Sequence, residues 1–233
     1  FKPEGASHPV FEDVTLDIAA SEKIGILGPV GAGKTTLLKV ILNAQAPTQG
    51  AVRIDGVDTR QIDDEDLRQH VGYCPQEIDL FSMSLRENIA IRPGAVSDDE
   101  IRHALYTAGV NEFSAVDTQG LGNIVHDRGR FLSGGQRQAI ALARALVGWP
   151  SILIMDEPTS QYDVKSEQRF IDRMAEAPPA TTLVLATHRL PLLRLVDRLI
   201  VLDQGKVVAD GPKENVLATL KENQTTRVPQ KVA

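Results

Sequence analysis

The sequence predicts an α/β protein whose core is a parallel β-sheet. At both ends of the chain, short apolar runs rich in β-branched residues alternate with stretches of helical periodicity, which is the pattern of strand–helix–strand units. Between about residues 76 and 150 the strand signals disappear, and this part is predicted to be a helical insert. We therefore expect one domain, 1–233, with a core over 1–75 and 151–220, a helical subdomain over 76–150 and a loose polar tail over 221–233.

The N-terminal part contains strand and helix signals in alternation. Alternating or continuous apolar residues predict four strands, over 14–18, 23–27, 51–54 and 71–74. The spacing of leucine and isoleucine predicts a helix over 35–43, and an acidic stretch predicts a helical turn over 63–69.

The middle and C-terminal parts contain clear helix starts. Ser97 with Glu100 is a capping box that predicts a helix to about Ala108, and Ser133 precedes a long helix to about Val147. Strands are then predicted over 152–155, 182–186, 199–202 and 206–209, with helices over 164–175 and 212–220.

Composition excludes several classes of protein. The 233 residues include 25 Lys and Arg against 31 Asp and Glu, a formal charge of −6 that argues against a nucleic-acid binder of the basic-patch kind. No stretch approaches the roughly 18 apolar residues that span a bilayer. The single cysteine, Cys74, excludes an internal disulfide and is predicted to be buried in a soluble, cytosolic domain. Because Phe1 is not a start methionine and no leader follows it, we expect a fragment of a longer protein.

A phosphate-binding loop is predicted between the second strand and the first helix. Residues 28–35, here called the phosphate loop, fit G-x-x-x-x-G-K-[ST] after an apolar strand and before a helix, a context that disfavours an incidental glycine turn. Backbone N–H groups and the helix N-terminus would cradle phosphate, with Lys34 on the β- and γ-phosphates, Thr35 on Mg²⁺ and Thr36 on the α-phosphate. The candidate nucleotide-binding residues of the loop are Gly28, Gly31, Ala32, Gly33, Lys34, Thr35 and Thr36.

Acidic residues and a histidine follow two later strands. Asp156 and Glu157 end the apolar run 152–155, at the place where an open α/β sheet holds its ligand. Asp156 is the candidate Mg²⁺ ligand, and Glu157 is the candidate that polarises the attacking water. His188 follows the run 183–187 and could bond a γ-phosphate oxygen.

A second anion site is predicted where Ser133 would cap a helix that opens with two glycines. The run Leu132-Ser133-Gly134-Gly135-Gln136 resembles the signature of ATP-binding-cassette (ABC) ATPases. That resemblance implies a P-loop NTPase with a RecA-like core and parallel sheet, an antiparallel β subdomain and an inserted helical subdomain. It also implies a head-to-tail homodimer with two ATPs at the interface, in which Ser133, Gly134, Gly135 and Gln136 bind the ATP of the partner subunit.

Further motifs of the ABC family lie in the same order along this chain. Gln76 matches the Q-loop glutamine, a ligand of Mg²⁺ and water, and His188 matches the switch histidine. Asp163 matches the last residue of the D-loop, although the middle pair of 160–163 departs from the usual S-A-L-D. Phe1 is the candidate for the aromatic residue that stacks on adenine. The catalytic residues implied by motif and resemblance together are Glu157, His188, Lys34 and Gln76.

The stretches 75–81, 85–89 and 127–129 resemble the exporter branch, specifically bacterial exporters of the type I secretion kind, although His126 departs from the usual pattern. The resemblance implies an ATPase that uses ATP and Mg²⁺ at the cytoplasmic face of the inner membrane to export a protein or peptide. The expected partners are an N-terminally fused transmembrane domain, a periplasmic adaptor and an outer-membrane channel, and no nucleic acid. Two alternatives remain open at this point: the ATPase subunit of an importer, and a soluble cassette ATPase acting on DNA or the ribosome.

Overall fold

A computed structural model of the chain describes residues 1–3, 7–110 and 120–226. Eight strands are present in this part of the chain: β1 Lys23–Leu27, β2 Arg53–Ile54, β3 Val57–Asp58, β4 Val71–Cys74, β5 Ile152–Asp156, β6 Thr182–Ala186, β7 Arg198–Asp203 and β8 Lys206–Pro212. Six of them form one sheet in the order β4-β5-β6-β1-β7-β8, in which only β8 is antiparallel to its neighbour. β2 and β3 form a small antiparallel hairpin.

Helices connect these strands and fill the stretch between β4 and β5. The α-helices of the described residues are Lys34–Ile41, Asp64–His70, Leu85–Ile89, Asp98–Thr107, Gly134–Leu146, Val164–Met174 and Lys213–Thr226. Short 3₁₀ helices lie at Thr59–Gln61, Gly120–Gly122, Asp127–Gly129 and Leu190–Leu195. None of the helices described here is both long and apolar enough to cross a lipid bilayer.

The sheet separates two apolar clusters, because successive side chains of a strand point to opposite faces. In β5, Leu153 and Met155 belong to the cluster under the helix Gly134–Leu146, whereas Ile154 belongs to the cluster under the helix Lys34–Ile41. Both faces are therefore covered, as parallel sheets require. This burial explains why the central strands consist almost entirely of apolar residues.

Strand order determines where the loops of interest meet. β1, β5 and β6 are parallel neighbours in the middle of the sheet, and β4 lies beside β5 at one edge. The carboxyl ends of parallel strands share one edge of a sheet. The loops after β1, β5 and β6, and the segment after β4, therefore lie along that edge.

The predicted fold class is confirmed: the protein has a mostly parallel sheet, a small antiparallel sheet and helices. Strands β1, β4 and β6 have the predicted bounds, and the helices capped by Ser97 and Ser133 start as predicted; both caps are capping boxes, of which only the one at Ser97 was predicted. Between 76 and 150 the described residues contain helices and one isolated bridge, Ser84 to Ile124, but no strand. The subdomain boundaries stay predictions. Residues 221–226, predicted to be part of a loose tail, instead continue the helix Lys213–Thr226, and residues 227–233 of that tail lie outside the described residues.

The strand predicted over 14–18 is wrong. Val14, Leu16 and Ile18 are half-buried against the cluster under the helix Lys34–Ile41, so the alternation in sequence reflects real burial. No strand is assigned to this segment, however, because its backbone does not join a ladder of the described sheets. The hairpin strand β3 and the helix Leu85–Ile89 are additional elements that the sequence patterns did not predict.

Candidate active site

The phosphate loop begins at a glycine that has no room for a side chain. A Cβ atom at Gly28 would lie 2.2 Å from the backbone carbonyl oxygen of Leu202 in β7. The last glycine of the loop, Gly33, has a left-handed φ of 98° and immediately precedes the helix Lys34–Ile41. The first N–H groups of a helix have no partner within it, so this turn presents free donors and a positive dipole end to the loop.

Lys34 lies across the same loop. Its Nζ donates hydrogen bonds to the carbonyl oxygens of Gly28, at 2.7 Å, and of Pro29, at 3.0 Å. The ammonium group is thus held at the turn where the helix N-terminus also contributes positive potential. Together these groups form a site suited to a phosphate group.

Thr35 and Asp156, two of the three residues predicted to bind Mg²⁺, are in direct contact. Thr35 Oγ1 donates to Asp156 Oδ2 at 2.6 Å. Asp156 is buried at the end of β5, and this burial raises the pKa of its carboxyl group, while the bond from Thr35 lowers it by a smaller amount. A hydroxyl and a carboxylate are hard oxygen donors, the kind that Mg²⁺ binds together with substrate phosphates, so this donor set fits that ion.

Glu157 is held by the loop that follows β6. Its carboxylate lies 2.8 Å from His188, from Oε1 to Nδ1, and Thr187 Oγ1 donates to Oε2 at 3.2 Å. Glu157 is 6% exposed, whereas the side chain of His188 is 71% exposed. Glu157 also has a φ of 49°, an uncommon conformation for a non-glycine residue of the kind that concentrates at functional sites. A carboxylate fixed in this way can accept a proton from a water molecule at the sheet edge.

The turn Ser133–Gln136, called the signature turn below, has the predicted helix cap. Ser133 Oγ accepts a bond from Gln136 N at 3.1 Å, and Gln136 Oε1 accepts one from Ser133 N at 2.8 Å. A Cβ at Gly134 would lie 2.6 Å from Gln161 Oε1, so the turn packs against the segment that follows Glu157. Within the described part of the chain, no hydrogen bond joins the signature turn to the phosphate loop.

The segment 160–163 has structural anchors at the positions that depart from the family pattern. Tyr162 is buried, its ring meets Phe170 edge to face at 6.5 Å, and its hydroxyl donates to the carbonyl oxygen of Ala108. Burial raises the pKa of Tyr162. Asp163 caps the helix Val164–Met174 by accepting a bond from Ser166 N at 2.8 Å, and this bond lowers the pKa of its carboxyl group.

Gln76 and Phe1 lie near the same edge of the sheet. Gln76 is exposed and follows Cys74, which pairs with Met155 in β5, so Gln76 emerges beside Asp156. The Phe1 ring tilts by 30° on Phe11, with 5.7 Å between centroids.

Phe1 is connected to the phosphate loop through Val10. Val10 N donates to the carbonyl oxygen of Phe1 at 2.9 Å, and a Cβ at Gly33 would lie 3.1 Å from Val10 Cγ1. The N-terminal segment therefore runs alongside the phosphate loop. His126, the departure in the exporter-like stretch, is exposed.

Two polar residues of this region were missed by the sequence reasoning. Thr187, which bonds Glu157, directly precedes His188, and that adjacency was the available signal. Gln138 is fully buried and links two segments: its Nε2 contacts Cys74 Sγ at 3.8 Å, and its Oε1 accepts a bond from Ser160 Oγ at 3.2 Å. The periodicity of this Ala- and Leu-rich helix predicts which face is buried, but it does not indicate that Gln138 would link two other segments.

Comparison with known proteins identifies consistent relatives. The profile described as "ABC transporter" matches residues 11–160. The chain is 40% identical over 218 residues to the toxin RTX-I translocation ATP-binding protein of Actinobacillus pleuropneumoniae, a match that covers 94% of this chain and 31% of that protein. It is 39% identical over 217 residues to the leukotoxin export ATP-binding protein LtxB of Aggregatibacter actinomycetemcomitans. That match covers 93% of this chain and 30% of LtxB.

Among solved structures, the chain is similar to a bacterial Atm1-family ABC exporter with ATP bound, with a TM-score of 0.86 and 31% identity. That match covers 96% of this chain and 40% of the exporter chain. The chain thus spans about a third of the length of the curated relatives it matches.

Proposed function

This chain belongs to the ABC transporter family, and on that premise we propose that it is the ATP-hydrolysing motor domain of an exporter. The observation that carries the proposal is the meeting of three predicted parts at one sheet edge: the phosphate loop with Lys34, the Thr35–Asp156 pair, and the Glu157–His188 pair. Each part comes from a different strand end, and each supplies a different requirement of phosphoryl transfer to water.

Roles follow from position. The phosphate loop and Lys34 bind the nucleotide phosphates, with Thr36 on the α-phosphate. Thr35, Asp156 and Gln76 would hold Mg²⁺, whose charge offsets that of the β- and γ-phosphates when it is bound.

Glu157 is the proposed base. Its carboxylate is fixed by Thr187 and His188 with little exposure to solvent, so it can accept the proton of the attacking water without first reorganising. His188, largely exposed beside it, is placed to bond a γ-phosphate oxygen. Phe1 supplies a ring for the adenine base.

A second copy of the chain would complete the site. The signature turn is a helix start with free N–H groups, yet no hydrogen bond connects it to the phosphate loop of its own chain in the described residues. Large apolar side chains are also exposed around the site, at Val30 in the phosphate loop and at Val164 and Leu190, the first residues of the helices Val164–Met174 and Leu190–Leu195. We infer that two copies associate head to tail, so that each signature turn meets the ATP of the other and these side chains become buried.

Export is proposed from the relatives. The names of the two similar proteins describe toxin translocation and leukotoxin export, and both proteins are about three times as long as this chain. We therefore propose a polypeptide as the exported substrate and a transmembrane domain, N-terminal in the same polypeptide, as the immediate partner. This arrangement would hold the chain at the cytoplasmic face of the inner membrane, where a periplasmic adaptor and an outer-membrane channel would extend the path.

The motor function is tested by two substitutions in this chain. Glu157→Gln should still bind ATP and dimerise in its presence, as measured by light scattering, but should lose most turnover because the proton acceptor is gone. Lys34→Ala should lose nucleotide affinity in a titration. Near wild-type hydrolysis by Glu157→Gln would remove Glu157 from the role of base, and unchanged affinity of Lys34→Ala would contradict the phosphate-loop assignment. The matched control is Lys39→Ala, on the exposed side of the same helix, which should change neither measurement.

The exporter assignment has a separate test. The coding DNA upstream of Phe1 should encode, in frame, apolar segments of about 20 residues each. A start codon directly before Phe1 would instead indicate a separately encoded subunit.

A further inference from the structure

Arg189, the residue after His188, connects the two loops that carry Glu157 and His188. Its Nη1 donates to the carbonyl oxygen of Thr159 at 2.6 Å and to Glu167 Oε1 at 2.7 Å. Thr159 Oγ1 also donates to Glu167 Oε1, at 2.6 Å. Thr159 is fully buried and the side chain of Glu167 is 8% exposed, so this is a largely desolvated cluster rather than a surface ion pair.

The position of this cluster relative to the proposed catalytic pair is informative. Thr159 lies two residues after Glu157, and Arg189 lies one residue after His188. On the other side of His188, Thr187 bonds the carboxylate of Glu157. His188 is therefore flanked on both sides by residues bonded to the segment 157–159. Its own side chain is mostly exposed, and within the described residues its one hydrogen bond is with Glu157.

We propose that Arg189 is a positioning residue that sets the distance between His188 and Glu157 by linking their loops through Thr159 and Glu167. This proposal rests on the proposed ATPase function and adds a residue that acts through another one. A short, charge-assisted bond to a backbone carbonyl fixes one loop relative to the other more firmly than packing alone. Hydrolysis needs the base and the γ-phosphate contact in one geometry, and errors of about 1 Å can cost roughly a hundredfold in rate.

The chain offers a matched control. Arg194 in the 3₁₀ helix Leu190–Leu195 pairs with Asp172 in the helix Val164–Met174, at 3.4 Å. This pair joins the 3₁₀ helix that directly follows Arg189 to the helix that contains Glu167, but its side chains are 58% and 54% exposed, and an exposed ion pair contributes little. Arg194→Met removes a guanidinium close by without touching the buried cluster.

The experiment measures steady-state ATP hydrolysis and thermal unfolding of the chain and its variants. Arg189→Met should lower kcat by about ten- to a hundredfold with the KM for ATP unchanged, since the nucleotide is held by the phosphate loop. Arg194→Met should leave kcat unchanged. Arg189→Met leaves the buried carboxylate of Glu167 without an opposite charge. The double variant Arg189→Met with Glu167→Leu removes both charges, so it should recover thermal stability but not kcat.

The effect of Arg189→Met in the presence and absence of the His188 side chain distinguishes a positioning role from a general loss of structure. In a His188→Ala background, Arg189→Met should have little further effect on kcat, because residues that act as a unit are not additive. The proposal is overturned if Arg189→Met keeps wild-type kcat, if the double variant regains kcat together with stability, or if Arg189→Met costs the same factor with and without His188. If the unmodified chain does not hydrolyse ATP, the proposed ATPase function is contradicted, and the role of Arg189 with it. That result is distinguishable from the three outcomes above, which all require a wild-type chain that hydrolyses ATP.

Discussion

The replacement of Gly28 by alanine should displace the phosphate loop from the sheet. The added Cβ would lie 2.2 Å from the carbonyl oxygen of Leu202, whereas an ordinary contact begins at 3.4 Å. The two backbones must therefore separate by about 1.2 Å, the difference between those distances. Neither side can yield by a simple rotation, because Gly28 directly follows β1, which pairs with β7.

Two magnitudes follow from this displacement. Overpacking of this kind costs about 1–3 kcal/mol of folding free energy. Losing one hydrogen bond to a charged group costs about 1.5–3 kcal/mol, so a shift of about 1 Å in the N–H groups that cradle phosphate should weaken ATP binding by roughly ten- to a hundredfold. Calorimetric titration with ATP measures the second effect, and chemical denaturation measures the first.

Gly122→Ala is the control for Gly28→Ala. A Cβ at Gly122 meets no atom within 4 Å, and the residue lies outside the site, so neither affinity nor stability should change. Wild-type affinity and stability in Gly28→Ala would refute the reasoning, since they would show that the loop and β7 separate without consequence.

Three further predictions concern buried or capping groups. Asp156→Asn should abolish hydrolysis yet raise the free energy of unfolding by about 0.5–2 kcal/mol, because a buried carboxylate that opposes folding is removed. Burial raises the pKa of Cys74 to about 12, so a thiol reagent at neutral pH should label this residue only after unfolding. Ser133→Ala removes the hydroxyl that accepts the bond from Gln136 N and should cost about 1 kcal/mol in chemical denaturation, together with a loss of ATPase activity.

The Asp156 prediction has a defined dependence on pH. The folded-state pKa lies above the ordinary value of 3.8, so the folded carboxyl group holds its proton to higher pH than the unfolded one. Its contribution to stability is therefore present at pH below 3.8 and is lost as pH rises through the folded pKa. The advantage of Asp156→Asn should appear only on the neutral side of that range, and an advantage of equal size in acid would contradict the burial argument.

The other two predictions have their own contradicting outcomes. Rapid labelling of folded Cys74 would show that the end of β4 opens readily in the native state. If Ser133→Ala retained both stability and activity, the capping box would be irrelevant to the signature turn. Ser97→Ala removes the serine hydroxyl of an equivalent capping box far from the signature turn, so it should lower stability by a similar amount without loss of activity.

The sequence predicted best those elements whose signals are local. Strands β1, β4 and β6 are continuous apolar runs, and the boxes at Ser97 and Ser133 are chemical start signals that tertiary packing does not override. These local signals were enough to predict that the phosphate loop and the ends of β5 and β6 lie at one edge of the sheet, because the carboxyl ends of parallel strands share an edge.

Features that depend on partners distant in the sequence could not be predicted from these local signals. The segment 14–18 alternates like a strand, and only the absence of a neighbouring ladder prevents it from being one. The partners of Arg189 are Thr159 and Glu167, from a loop and a helix that no sequence period connects to it. Gln138 similarly lies in a helix whose sequence does not indicate its contacts, which come from the end of β4 and from the loop after β5.

The strand order also determines when the phosphate loop can fold during translation. β1 lies between β6 and β7, so Lys23 pairs with Leu183, and Ile24 pairs with Arg198. During synthesis, the phosphate loop therefore leaves the ribosome long before either strand that supports it exists. An incomplete chain that ends before β7 lacks the Leu202 backbone against which Gly28 packs. Nascent fragments should consequently be unable to capture ATP, and the nucleotide can stabilise this domain only after nearly all of it has been translated.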